Sequence, residues 1–124
     1  MTTKLIAAAL VLLLPLTAAA TDRKDAELAL AEAGASVEAA ERADAAQYAT
    51  AELNTANDML TNAHAAYDHR AWTDSFLDSD SAKADANLAA ARSRQHRAEM
   101  ATAELETTVR SLREQLGVSA GGQP

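Results

Sequence analysis

Four groups of side chains have types and spacings that bear on chemistry. His64 and Asp68 lie four residues apart, with His69 next to them. A histidine and a carboxylate at that spacing share a helix face and can hold a metal ion. Asp74, Asp78, Asp80 and Asp85 alternate with Ser75, Ser79 and Ser81, an oxygen-rich cluster of the kind that attracts calcium. Arg92, Arg94 and Arg97, with His96, form a basic patch suited to an anionic polymer. Tyr67, Trp72 and Phe76 are large aromatics close together, the residue types that dominate interface energetics.

Each group also has a plainer reading. His69 falls off the His64–Asp68 face, so the ligand set is incomplete. Residues 78–81 lack the glycine and the closing glutamate of an EF-hand loop and sit in helical register, which makes them a solvated acidic face. The arginines have a surplus of acids to pair with. The aromatics can cap the closed end of a helical hairpin, with Trp72→Ala then a severe lesion. There is no nucleophile–base–acid set, phosphate-binding glycine loop, zinc pattern or dinucleotide fingerprint. The expectation is a non-enzymatic protein with no catalytic residues, cofactor or metal site.

Composition points the same way. Apolar residues make up 48% of the 124-residue chain but aromatics only 3%, and alanine alone is about a quarter. Alanine is the best helix former and buries little area. Such a chain packs long helices closely and builds no thick core, so a deep water-excluding pocket is not expected. The absence of cysteine excludes disulfides and is compatible with export. A net charge of −7 repels phosphate backbones and argues against a nucleic-acid partner.

Residues 1–20 read as a signal peptide. Lys4 supplies the positive start, residues 5–14 are an unbroken apolar run, Pro15 ends it, and Ala18, Ala19 and Ala20 suit a signal peptidase. The run is too short for a membrane span of roughly 20 residues. The expected destination is the periplasm, with no stable membrane span after cleavage; an uncleaved anchor is the alternative. Of the remainder, residues 21–91 hold five basic and fourteen acidic side chains, and residues 92–124 hold five and four. The first part is strongly acidic and the last third nearly balanced.

The periodicity predicts a single all-α domain over residues 21–117 and a flexible tail over 118–124. Helix 1 spans about 23–46, opening at Thr21-Asp22 with Asp22, Asp25 and Glu27 at its positive end. Gly34 interrupts it, and between Ala33 and Ala35 is read as permitting close approach of a neighbouring helix. The first break is placed at Gln47-Tyr48-Ala49. Thr50 is the expected N-cap of a helix over about 51–68, whose face carries Leu53, Ala56, Leu60, Ala63 and Tyr67. A turn near Asp68-His69-Arg70 leads to a helix over about 71–116, with Trp72, Phe76, Ala82, Ala86 and Ala89 as its inner stripe and Gly117 as its stop. Its last part carries a heptad-like seam of Ala98, Leu105, Val109, Leu112 and Leu116. The result is an Ala-rich antiparallel helical hairpin or a three-helix coiled-coil-like bundle with a long C-terminal helix. Either helix 1 continues in line with helix 2, which length favours, or it folds back, or the seam of Leu105, Val109, Leu112 and Leu116 pairs with another copy to make a homo-oligomer.

Three segments resemble a known family. Ala45-Ala46-Gln47-Tyr48-Ala49-Thr50-Ala51-Glu52-Leu53 resembles an A-x-x-Y-A-P-x-E-L signature, and Ala82-Lys83-Ala84-Asp85-Ala86-Asn87-Leu88-Ala89 resembles A-x-x-D-A-x-L-A. Trp72 stands between them where a Tyr is usual. Together they resemble the bacterial domain-of-unknown-function 4398 family over roughly residues 28–116, through Tyr48, Glu52, Leu53, Ala82, Asp85, Ala86, Leu88 and Ala89. Thr50 replaces the usual Pro, Asp78 a common Leu, and Ser75 and Ser79 a common Ala. The resemblance implies an exported helical envelope protein and brings no catalytic residues. The expected function is a structural or adaptor protein of the cell envelope acting through helix faces on another envelope protein. The alternatives are a small binding protein for cations or cationic ligands on the face over residues 74–85, and an oligomeric coiled-coil spacer.

Overall fold

The computed structural model describes residues 21–117. The expected signal peptide over 1–20 and the expected tail over 118–124 lie outside the described residues. Four helices follow in order: α1 (Arg23–Arg42), α2 (Ala45–Tyr48), α3 (Thr50–Asp68) and α4 (Trp72–Gln115), with no strand among the described residues. The fold is all-α, with a long C-terminal helix.

Each boundary has a local cause. The Asp22 side chain accepts from the Lys24 and Asp25 amides at 2.8 and 3.0 Å, and Asp25 reaches back to the Asp22 amide, a capping box that starts α1. The chain leaves α1 at Asp44, which takes a left-handed conformation (φ 64°) that aspartate tolerates better than most residues. The break therefore falls earlier than Tyr48, and α1 ends at Arg42 rather than near residue 46. A single turn, α2, separates Asp44 from α3. Thr50 is not an N-cap: Ala49 holds that position, and the Thr50 hydroxyl donates back to the Ala46 carbonyl at 2.8 Å.

The hairpin turn is more orderly. Arg70 is left-handed (φ 61°), its amide donates to the Tyr67 carbonyl and the Ala71 amide to the Ala66 carbonyl, both at 2.9 Å. These are the two bonds of a Schellman closure of α3. Gly117, at φ 65°, closes α4.

α1 folds back rather than continuing in line with α3, which corrects the arrangement that length favoured. Lys83 meets Glu32 and Arg97 meets Asp44, so α1 and α4 run parallel. Arg92 meets Glu52 near one end and Tyr67 meets Trp72 near the other, so α3 and α4 run antiparallel. The reason is Asp44: a left-handed residue between two helical segments reverses the chain, whereas a soft kink at Tyr48 would not. The product is a three-helix bundle in which α4 packs on both other long helices.

Its core is thin. α1 contributes Ala26, Leu30, Ala33, Val37 and Ala40, α3 contributes Leu53, Ala56 and Ala63, and α4 contributes Ser75, Ser79, Ala82, Ala86, Ala89, Ala90 and Ser93. The largest fully buried side chains are serines. The main cluster gathers around Val37 and Leu53, with Leu60 partly buried against it. The inner stripe of α4 is the expected one at Ala82, Ala86 and Ala89 but not before them: Trp72 and Phe76 are half-buried at its flank, and Ser75 and Ser79 take the inner positions. Helices this close have no room for an indole or phenyl between them, so the rings are displaced to the side. Gly34 does not serve a close approach either, since a Cβ added there would meet nothing within 4 Å. It lowers the helix propensity of α1 by about 1 kcal/mol relative to alanine without a packing return.

The bundle covers α4 only as far as Ser93. Residues 94–115 are exposed, and beyond Arg97, the last to touch the α1–α3 connection, residues 98–115 project by roughly 27 Å at 1.5 Å per residue.

Candidate interaction surface

The aromatic group divides in two. Tyr67 and Trp72 flank the turn and pack edge to face, with ring centroids 5.1 Å apart, a favourable arrangement for aromatic pairs. Arg23 lies 6.0 Å from the Tyr67 ring centre, its Nε donates to the Tyr67 hydroxyl at 3.0 Å, and that hydroxyl donates to Glu27 at 3.4 Å. The Tyr67 hydroxyl, and then Glu27, hold the Arg23 guanidinium above its ordinary value. The start of α1 is thus tied to the end of α3. Phe76 stands apart, lining a shallow groove of about 190 Å³ with Asp25, Leu28, Glu32, Asp80 and Lys83. Trp72 is half-buried, so its truncation removes part of a packed surface and not a core residue. Trp72→Ala is expected to lower stability by about 1–2 kcal/mol, keeping a cooperative melt. A melt by circular dichroism checks this; loss of cooperativity would show a deeper structural role.

The polar groups mostly find partners within the chain. Arg92 pairs with Glu52 of α3, and Arg97 with Asp44 at 3.2 Å. Tyr48 stacks on His96, with centroids 4.8 Å apart and planes 22° apart. Arg92, His96 and Arg97 thus hold α4 against the α1–α3 connection, while Arg94 is exposed. His64, Asp68 and His69 are exposed on or beside the end of α3. Asp74 and Asp80 are exposed, and Asp78 and Asp85 half-buried. Among the described residues no group of three or more His, Asp or Glu is placed to hold a metal ion. Lys83 donates to Glu32 at 2.5 Å, and that bond, then the Glu32 charge, raises the Lys83 ammonium above its ordinary value. What this exposed pair adds is present through neutral pH and lost only as pH rises through the raised value.

Of the family-like motif residues, Leu53, Ala82, Ala86 and Ala89 are buried, Tyr48 and Glu52 take part in the contacts above, and Leu88 is exposed. Most of the exposed large apolar residues lie on α4. Leu105, Val109, Leu112 and Leu116 are 66%, 43%, 50% and 77% exposed, and no other element reaches them. Leu77, Met100 and the motif residue Leu88 are also exposed large apolar residues of α4, outside the seam expected from the sequence. For Leu77 and Leu88 the signal is spacing: Leu77 lies 28 residues, four heptads, before Leu105, and Leu88 lies 21 residues, three heptads, before Val109. Among the described residues, no helix is long and apolar enough to cross a membrane. Compared with protein-family models, with curated proteins and with solved structures, the chain finds no match.

Proposed function

We propose that this chain is a non-enzymatic structural or adaptor protein of the bacterial cell envelope, exported to the periplasm, that works by offering a helix face to another protein. The observation that carries the reading is the apolar seam on the projecting half of α4, which is exposed and lies out of reach of the bundle. An apolar stripe with a 3.5-residue repeat is stable in water only when a second helix lies along it. The apolar run and small residues of positions 5–20 support export, and the resemblance to the domain-of-unknown-function 4398 family supports the same envelope setting. The projecting helix also favours the spacer form of this reading, in which association of α4 sets a distance between bundles.

The test places a photo-crosslinking residue at position 112, on the seam, and at position 107, half a turn away, in the full chain in a bacterial host. The expected outcome is an adduct from position 112 and none from 107. No adduct from 112, or equal adducts from both, would remove the seam as a docking surface. Fractionation of the same cells checks the periplasmic assignment.

A further inference from the structure

The seam does not stop where the bundle begins. Stepping back by sevens from Leu112 passes Leu105, Ala98, Ala91, Ala84 and Leu77. The same steps from Leu116 pass Val109, Thr102, Gln95, Leu88 and Ser81. Every one of these residues is exposed. The buried stripe of the same helix starts at Ser75 and repeats by sevens through Ala82 and Ala89. Leu77 is two residues on from Ser75, about 200° around the helix, so the second seam runs along the outer side of α4, away from α1 and α3. Neither α1 nor α3 can reach it. A seven-residue repeat held over the whole of a 44-residue helix asks for a partner helix of matching length.

We infer that the partner is a second copy of this chain, with the two α4 helices lying antiparallel along their outer faces; this rests on reading the exposed α4 seam as a docking surface. Length is the first argument. The bundle buries α4 between residues 72 and 93 and still touches His96 and Arg97, so the projecting part, residues 98–115, is close in length to the covered part. In an antiparallel pair, each projecting half spans the outer face of the partner's bundle half. Charge is the second. Residues 21–91 hold nine more acids than bases, and residues 92–124 one more base than acids. A parallel pair sets two acidic bundles side by side, whereas an antiparallel pair sets each against a nearly neutral helix.

The leucines set the register. With Leu88 opposite the partner's Leu105, Leu77 falls opposite the partner's Leu116 and Ala84 opposite the partner's Val109. The flanking positions then bring Asp78 to the partner's Arg113, and Arg92, already paired with Glu52 of its own chain, near the partner's Glu99. Asp85 meets the partner's Glu106, the one like-charge pair on that flank. The parallel alignment offers one attractive pairing, Arg94 to the partner's Glu99, and one repulsive, Asp80 to the partner's Asp85. Since Glu52 of the same chain already holds Arg92, the flanking charges balance equally in the two alignments, and length and the acidic bundles choose the antiparallel one.

Sedimentation equilibrium on the full chain and on Leu105→Glu and Ala91→Glu tests the pairing. Both substitutions fall on exposed positions, so circular dichroism should show the bundle intact. The expected result is a dimer that each variant weakens by roughly 100-fold, because each buries an unpaired carboxylate twice. A monomer at all concentrations overturns the inference. So does a dimer that Ala91→Glu leaves unchanged, since the projecting halves would then be pairing alone. The chain has no cysteine, so single replacements report register under oxidising conditions. Leu88→Cys mixed with Leu105→Cys should crosslink, and Leu105→Cys alone should not; the reverse pattern overturns the antiparallel order. If the chain is monomeric but position 112 still yields an adduct with another protein, the docking surface stands and self-pairing fails. No adduct removes both.

Discussion

Leu53→Ala should leave the chain without a cooperative melting transition. Leu53 is 5% exposed and sits in the cluster formed by Val37, Ala40, Ala56, Ala86 and Ala89, where α1, α3 and α4 converge. Removing a buried leucine side chain costs about 2–5 kcal/mol, through lost transfer energy and the cavity left behind. Domains of this size hold about 5–15 kcal/mol in total. A core whose other buried large apolar residues are Leu30 and Val37 belongs at the lower end of that range. The surrounding alanines are on rigid helices and cannot collapse into the gap. Leu105→Ala supplies the contrast: the same atoms are removed at a position 66% exposed, and a change within about 0.5 kcal/mol is expected for the folding of the bundle. Thermal melts of both variants, at concentrations where the chain is monomeric, decide the matter. Equal effects would mean that the core does not lie where Leu53 sits.

The three buried serines of α4 should respond with opposite signs. Ser75 and Ser79 are fully buried, and their hydroxyls have no hydrogen-bond partner. An unpaired buried hydroxyl costs about 1–3 kcal/mol, and alanine fits the same space with better helix propensity. The double variant Ser75→Ala/Ser79→Ala should gain about 2 kcal/mol, raising the melting temperature by roughly 10 °C in a domain of this size. Ser93 is equally buried, but its hydroxyl donates to the Ala43 carbonyl, one of the groups that the end of α1 leaves without a helical partner. Ser93→Ala should lose about 1–2 kcal/mol by orphaning that carbonyl. Matched melts of the two variants check the sign. If Ser75→Ala/Ser79→Ala destabilised the chain, those hydroxyls would have partners, such as ordered water.

These contrasts show what the sequence made legible and what it did not. Asp22, the turn before Ala71 and Gly117 mark helix ends through capping and backbone chemistry that act within a few residues, and they can be read locally. The return of α1 hangs on one left-handed residue, Asp44, which is no glycine and carries no special composition around it. The inner stripe of α4 was obscured for a different reason. Apolar periodicity draws attention to Trp72 and Phe76, but the interior between close helices admits only small side chains, so serine outcompetes phenylalanine there. Alanine also lies on both sides of α4, at Ala82, Ala86 and Ala89 within and at Ala84, Ala91 and Ala98 without. A residue that suits either environment cannot say which face is inside. Only the large exposed residues Leu77 and Leu88, once placed, extend the outer repeat beyond the projecting half.

A core made of alanine and serine also fixes how the chain meets temperature and denaturant. Heat-capacity change and denaturant sensitivity on unfolding both scale with the surface exposed, and here little apolar surface per residue is there to expose. The stability curve is therefore shallow, with a low maximum and gentle flanks. Such a protein changes little on cooling and unfolds over a broad span of urea.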